Sequence, residues 1–446
     1  MSTQISKREL LSKRAVGAGL GVGTLVLLAQ TQRASADTPF TRFPFPATGT
    51  SMARTMPDRI TEIKNVKDYG ASGNGATDDT APIQAAVNNA SAPYSIANRG
   101  VIFFPTGTYV LSSPVTFELS AGITSIAFIG APGAKIRGNF ADALLKRSPN
   151  SPVGGAYLIQ SLILENNNAA GKCIMFHSIV GGKIVACQLS GFTGIETYNS
   201  QSVTVDSCSI ISGGNPGGIG VLAGNATSLI ACDITAMGEG IRHSNAGLTV
   251  IGGRLEVNTI GINLGTDGDG NPHQSTGAFI TGLSMESNST GIQVGSLAGA
   301  GCSCLSVEAL AITCSKERKA NGIIIYGGDH LTFRAVAVSN SDAVTGWSGA
   351  GVNIQGGNTI IMDSVISVTT LGSTWNIVPN IDAEFTQCNA PMPTFAQLPS
   401  ASGVAGNARR YIRDADANYL TYGNVAAGGG KNRAPVWTDG TNWRYG

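Results

Sequence analysis

Between about residue 155 and 370 the chain repeats one pattern: an apolar–polar alternating stretch, a turn, then a Gly-Ile or Gly-Val step. The alternating stretches are 183–190, 202–210, 228–235, 248–258, 278–288, 305–313, 331–340 and 359–369. The steps are Gly194-Ile195, Gly218-Ile219, Gly240-Ile241, Gly261-Ile262, Gly291-Ile292, Gly322-Ile323 and Gly351-Val352. Alternation of period two is the signature of a strand with one buried side. Aligning one inward column gives Cys187, Cys208, Cys232, Gly253, Leu283, Leu310, Val336 and Val365, at spacings of 21 to 30 residues. A unit that short cannot bury its own apolar face, but stacked units bury a continuous core. The pattern predicts a parallel β-solenoid. No L-x-x-L-x-L repeat supports a leucine-rich repeat, and a propeller blade needs four strands at a longer period. Glycine is expected at the corners, where a coil needs positive φ or close backbone approach.

The N-terminal part carries a family resemblance. Asp68-Tyr69-Gly70-Ala71-Ser72-Gly73-Asn74-Gly75-Ala76-Thr77-Asp78-Asp79-Thr80-Ala81-Pro82-Ile83-Gln84-Ala85-Ala86 resembles the entry motif of the pectate-lyase-like superfamily. Val101-Ile102-Phe103-Phe104-Pro105-Thr106-Gly107-Thr108-Tyr109 is similar to its next strand. That superfamily includes rhamnogalacturonase-, epimerase- and tailspike-type β-helices, and the resemblance covers residues 60–390. It implies an all-β fold: a right-handed parallel β-helix. Asp79 or Thr80 is expected to cap a helix that accepts Pro82 in its first turn and turns Ile83, Ala86 and Val87 inward. Such a helix would close the open end of the solenoid. Asp78 and Asp79 are therefore read as caps rather than as a catalytic carboxylate pair.

The expected segments are an export signal at 1–36, linkers at 37–60 and 391–405, the β-helix at 61–390 and a small C-terminal β module at 406–446. The module, with Arg409-Arg410-Tyr411 and Trp437-Thr438-Asp439-Gly440-Thr441-Asn442-Trp443, resembles one found at the ends of phage tail proteins and secreted β-helices. It is read as a cap, a homotrimerisation piece or a sugar-binding module. Packing of a small core is the expected use of Trp437 and Trp443, and stacking on sugar rings the alternative.

Composition agrees with this organisation. Of 446 residues 59 are Gly and only 13% are charged, with Lys+Arg 29 against Asp+Glu 28. That balance lacks the basic footprint of a nucleic-acid binder. Lys7, Arg8, Lys13 and Arg14 precede a Gly-diluted apolar stretch, 15–29, and Ala34-Ser35-Ala36 offers a cleavage site. The stretch is too short to span a bilayer, so a cleaved signal is expected, leaving no transmembrane anchor and a periplasmic or extracellular protein. Ser6-Lys7-Arg8-Glu9-Leu10-Leu11-Ser12-Lys13 resembles a twin-arginine motif with Lys at the first Arg. With the repeats, the chain is similar to twin-arginine-translocated β-helix repeat proteins. Removing 1–36 takes away five basic residues and one acidic one and lowers the net charge from +1 to −3.

The solenoid narrows the search for chemistry, because stacked coils bring equivalent residues to about 4.8 Å. The alignment puts Glu256 directly under Glu286, and Asp233 in one column with Arg254. Two carboxylates that close match a retaining glycosidase, and like charges at that distance resist joint ionisation. A ladder of Asn258 on Asn288, with the glutamates as solvent-facing neighbours, is the structural alternative. Arg242, His243, Arg254 and His273 are candidates to bind an acidic sugar, and His273 to assist catalysis. Asp233, Asp267 and Asp269 are further candidates to bind substrate. Asp267 and Asp269 lie in the widest insertion, Gly265 to Thr276, expected to form a lip over the adjacent coils. Asp267, Asp269 and Asn271 are spaced as in a calcium loop, but Pro272 replaces its Gly and Ala278 its Glu, so no cofactor or metal is expected. Asn271-Pro272-His273 resembles the Asp-Pro-His of alginate epimerases without its acid. The Asn-Thr-Asp and Gly-His-Gly of polygalacturonases and the Trp-Ile-Asp-His of calcium-dependent pectate lyases are missing, so pectin does not follow from the fold. Cys187, Cys208 and Cys232 are expected to form a buried, reduced ladder. The reading is a secreted protein that cleaves an acidic polysaccharide by hydrolysis or β-elimination. Its alternatives are a non-catalytic carbohydrate-binding adhesin and a polysaccharide epimerase.

Overall fold

Each coil turns three times, and each turn starts a strand of a different parallel sheet. The computed structural model describes residues 63–91, 100–118, 125–147, 153–197, 200–299, 301–314, 321–340, 350–362, 364–367, 375–377, 382–386, 395–398, 400–403 and 409–446. It also describes Pro44–Pro46 and Ala53–Thr55, an antiparallel pair in a separate N-terminal unit. The export signal expected at 1–36 lies outside the described residues.

Among the described residues, face A has 15 strands, face B 12 and face C 11. One coil shows the plan: Leu248–Ile251 on face A, Arg254–Glu256 on face B, Ile260–Leu264 on face C. The next coil repeats it with Phe279–Thr281, Ser284–Glu286 and Thr290–Val294. Parallel register sets Val250 on Ile280, Leu255 on Met285 and Ile262 on Ile292, all buried. Like residues stack on like, so one apolar core runs along the axis. The fold is the expected right-handed parallel β-helix.

Helix α1, Thr80–Ala90, turns Ile83, Ala86, Val87 and Ala90 inward. Its N-terminus differs from the expectation in detail. Asp79 occupies the N-cap position, yet its buried carboxylate accepts from the Ser72 and Gly73 amides, at 2.6 and 3.0 Å, rather than from the helix. Asp78 takes the capping part, accepting from the Thr80 amide at 3.0 Å and the Ser112 hydroxyl at 2.6 Å. Both carboxylates are structural.

Two features of the repeat depart from the expected alignment. The inward column ends on Ser364, whose Oγ accepts the Val336 amide at 3.2 Å; Val365 pairs with Ala337. The second glycine step is Gly220-Val221, because Val221 pairs with both Ile195 and Ile241. The glycines serve both expected ends, close backbone approach and positive φ. In face C they form a column in which a Cβ on Gly194, Gly220, Gly240, Gly261, Gly291 or Gly322 would sit 2.4–2.6 Å from the next glycine's carbonyl oxygen. That contact leaves no room for a side chain. Left-handed positions between faces A and B are held by glycine at Gly133, Gly252, Gly253 and Gly282, but by Ser161, Ala186, Ser207, Ala231, Ala309 and Ala335 in other coils. The exits from face C add left-handed Gly265 and Gly295. Cys187, Cys208 and Cys232 are buried and unpaired by disulfides.

The C-terminal module is a three-stranded antiparallel sheet: Arg409–Ala415, Asn432–Thr438 and Trp443–Tyr445. Its own core contains Ile412, Ala434, Val436, Trp443 and Tyr445.

Candidate functional site

Face B brings four of the expected residues together. Thr235, Glu256, Glu286 and Thr313 are successive register partners in one outward column. The acidic pair is therefore one rung apart, about 4.8 Å between backbones, with a threonine on either side. Asp233, Arg254 and Ser284 form the neighbouring column. The Arg254 guanidinium lies 3.7 Å from Asp233 and 3.3 Å from Glu256. Arg254 and Asp233 are about half exposed, 48% and 51%. Such a pair contributes at most about 1 kcal/mol to stability. Its charges are free to meet a ligand at little structural expense. Glu286 is exposed; its carbonyl accepts the Val257 amide at 3.0 Å, while its carboxylate makes no hydrogen bond or ion pair among the described residues.

The Asn ladder coexists with this pair. Asn258 Nδ2 donates to Asn288 Oδ1 at 3.0 Å and to the Ile234 carbonyl at 3.1 Å, while Asn288 Nδ2 donates to the Leu255 carbonyl at 2.9 Å. The asparagines hold the corner from inside, which fixes the strand that points the glutamates out.

The other expected residues lie elsewhere. Arg242 is on face C, where it grips Glu239 with two 2.7 Å hydrogen bonds. Its third contact anchors the insertion, donating to the Asp267 and Gly268 carbonyls at 3.2 Å. The lip therefore leans on face C and not over the acidic pair. The carboxylate of Asp267 closes its own loop by accepting the Asp269 and Asn271 amides at 3.0 and 2.8 Å. Its slight burial would raise its pKa, but these hydrogen bonds outweigh that and hold it below the usual range. Asp269 and His273 are exposed on this lip. No group of three or more His, Cys, Asp or Glu side chains among the described residues is arranged to hold a metal ion.

His243 corrects the expectation of a ligand contact. It is fully buried, with Nδ1 2.6 Å from Ser275 Oγ and Nε2 unpartnered among the described residues. Burial pushes its pKa down to about 4. Strand alternation explains the position: with Arg242 outward, its neighbour must point in.

Sequence reasoning missed a second charged cluster on face C. Glu196, only 6% exposed, accepts Lys172 Nζ at 2.5 Å and lies 2.5 Å from His177 Nε2. Burial would raise its pKa, but hydrogen bonds from His177 and Lys172 outweigh that and hold it ionised. Asn263, in the column of Arg242, donates to Glu239 at 3.0 Å. The available signal was the residue after each glycine step: Glu196, Arg242, Asn263 and Gln293 fall on one outward column.

Comparisons with known proteins agree with this architecture. The profile of the family described as Rhamnogalacturonase A/epimerase, pectate lyase-like matches residues 63–303. A glucan 1,3-beta-glucosidase of Cochliobolus carbonum is 29% identical over 218 residues, 45% of this chain and 26% of that protein. A non-secreted LysM effector of Penicillium expansum, LysM19, is 41% identical over 76 residues, 16% of this chain and 6% of its own length. The chain thus spans about a quarter or less of these relatives. The A-module of the Azotobacter vinelandii mannuronan C-5 epimerase AlgE4 superposes with a TM-score of 0.55 at 16% identity, over 77% of this chain and all of that one. The Dettilon tailspike protein gives 0.50 at 9% identity, over 87% and 78%. Both likenesses concern the fold.

Proposed function

The chain belongs to the rhamnogalacturonase A/epimerase, pectate lyase-like family, and on that footing we propose that it is an exported enzyme cleaving an acidic polysaccharide on face B. The observation that carries the site is the direct register of Glu256 on Glu286. One rung is close to the roughly 5–5.5 Å between carboxyl groups in retaining glycosidases. In that reading Glu256, beside the Arg254 guanidinium, attacks the anomeric carbon, and Glu286 protonates the departing glycosidic oxygen. A covalent glycosyl–enzyme forms as the C–O bond breaks. Water, deprotonated by Glu286, then releases the sugar and restores both groups. Arg254 serves an acidic sugar as counter-ion, with Asp233 holding its far edge. His273, Asp269 and Asp267 on the lip reach substrate only where a long chain wraps from face B to face C. The signal-like segment 1–36 supports export.

The test uses the mature protein and a panel of acidic exopolysaccharides, following reducing ends and the absorbance of unsaturated uronates. New reducing ends without unsaturation are expected, and Glu256→Gln with Glu286→Gln removes them. Unsaturated products would replace hydrolysis by β-elimination, and activity surviving in the double variant would overturn the site. The openness of face B favours one second reading, a non-catalytic glycan-binding surface. Measurable binding to a substrate with no product at all would establish that reading instead.

A further inference from the structure

The two faces of the C-terminal sheet differ in kind. One packs Ile412, Ala434, Val436, Trp443 and Tyr445 into the module's core. The other carries Trp437, half-buried, beside its cross-strand partner Arg444. Arg433, exposed, lies on the same side of its strand by alternation. Tyr422 stacks over Trp437 with ring centroids 6.2 Å apart and planes at 24°. Tyr422 is 77% exposed, so the outer side of this stack meets solvent. The backbone next to Tyr422 is tied down: Arg444 Nη1 donates to the Gly423 carbonyl at 2.9 Å and Nε pairs with Asp439. The two tryptophans of the motif thus divide. Trp443 fills the core and Trp437 builds a surface.

We propose that this outer face is a saccharide site separate from face B, taking an anionic sugar ring. The aromatic pair offers a flat apolar platform to the C–H face of a pyranose. Arg444, paired with Asp439, lies beside the platform, and Arg433 stands on the same side of the strand about 13 Å along it. This positive charge complements a uronate carboxylate on a chain laid along the face and selects against a neutral one. A platform stacked in advance of binding, Tyr422 on Trp437, loses little entropy on capture, the condition for useful affinity from a small contact. Attached to a cleaving face, such a module would hold the polymer while face B works along it.

The experiment uses the full mature chain carrying Glu256→Gln and Glu286→Gln, so that cleavage and binding are read separately. Affinity electrophoresis through oligogalacturonate, with a neutral β-glucan gel as the comparison, reports retention. Retardation by the uronate gel is expected, with the neutral gel about tenfold weaker. Tyr422→Ala should weaken retention about tenfold and Arg433→Ala severalfold, with unchanged thermal unfolding. Because Tyr422 is exposed, it tests the platform even if Trp437→Ala fails to fold. Wild-type retention in Tyr422→Ala, equal retention by both gels, or none by the uronate gel would overturn the proposal. So would a drop from oligomer to monomer in sedimentation of Tyr422→Ala, since a second copy would then be the occupant. Loss of face B cleavage alone leaves these outcomes untouched.

Discussion

Faces B and C are made from the same coils, yet the charges around the acidic pair on face B and the cluster on face C are held in opposite ways. Farther along face B, Glu165, gripped by Lys135 and Arg137, resembles face C. On face B, Asp233 and Arg254 stand half in water, and Glu286 is exposed. On face C, Glu196 is 6% exposed, and Glu239 and Arg242 show 14% and 15% of their side chains. Every face C carboxylate named here has a hydrogen-bonded partner, Lys172 and His177 for one, Arg242 and Asn263 for the other. A buried charge is tolerated only when so held, and once held it is spent on structure. An exposed charge costs little to keep available. The lesson is that depth, more than residue type, sorts the charges of a solenoid into structural and functional ones.

The largest test of that difference is kinetic. Glu256→Gln should lower turnover on the order of 1000-fold, the scale of lost acid–base or nucleophilic catalysis, while Glu196→Gln leaves it within about twofold. Comparable losses in both variants would erase the distinction between the faces.

Beneath face C the imidazole of His243 supplies a pH test. Its pKa falls to about 4 in the fold from an ordinary 6.5. The unfolded chain therefore binds a proton that the folded chain refuses between those values. The stability from keeping His243 neutral is complete above pH 6.5 and is lost as pH falls toward 4, by roughly 3 kcal/mol. Denaturant melts at both ends of that window, compared with His243→Leu, should show a shallower slope in the variant. Parallel slopes would remove burial as the cause.

Smaller still is the stability contrast between the carboxylates. Glu196→Gln should cost about 2 kcal/mol through weakened charged hydrogen bonds to Lys172 and His177, and Glu286→Gln less than about 0.5 kcal/mol. Equal costs in a urea titration would mean that Glu286 is also held in the fold.

Much of this was legible in the sequence, and the failures have physical causes. Period-two alternation and the glycine steps specified the coils, and register followed closely enough to put Glu256 on Glu286 and Asp233 on Arg254. The segment Gly217-Gly218-Ile219-Gly220-Val221 offers two glycine steps of the same parity, so only the turn before them decides the register. His243 was misplaced although alternation against Arg242 already required it to face inward. The face C cluster was harder: Lys172 and Glu196 belong to different coils, and His177 lies past a strand end, so no spacing joins them. The lip was seen as a loop, but only the Arg242 contacts to Asp267 and Gly268 reveal which face it serves.

The central claim is that two carboxylates one rung apart do the cleaving. Proton NMR of the first product from a cleaved acidic polysaccharide reads the anomeric configuration before mutarotation blurs it. Retention is predicted, because the spacing leaves no room for a water between carboxylate and sugar. An inverted product, which requires carboxyl groups about 6.5–9.5 Å apart, would contradict the Glu256–Glu286 pair outright.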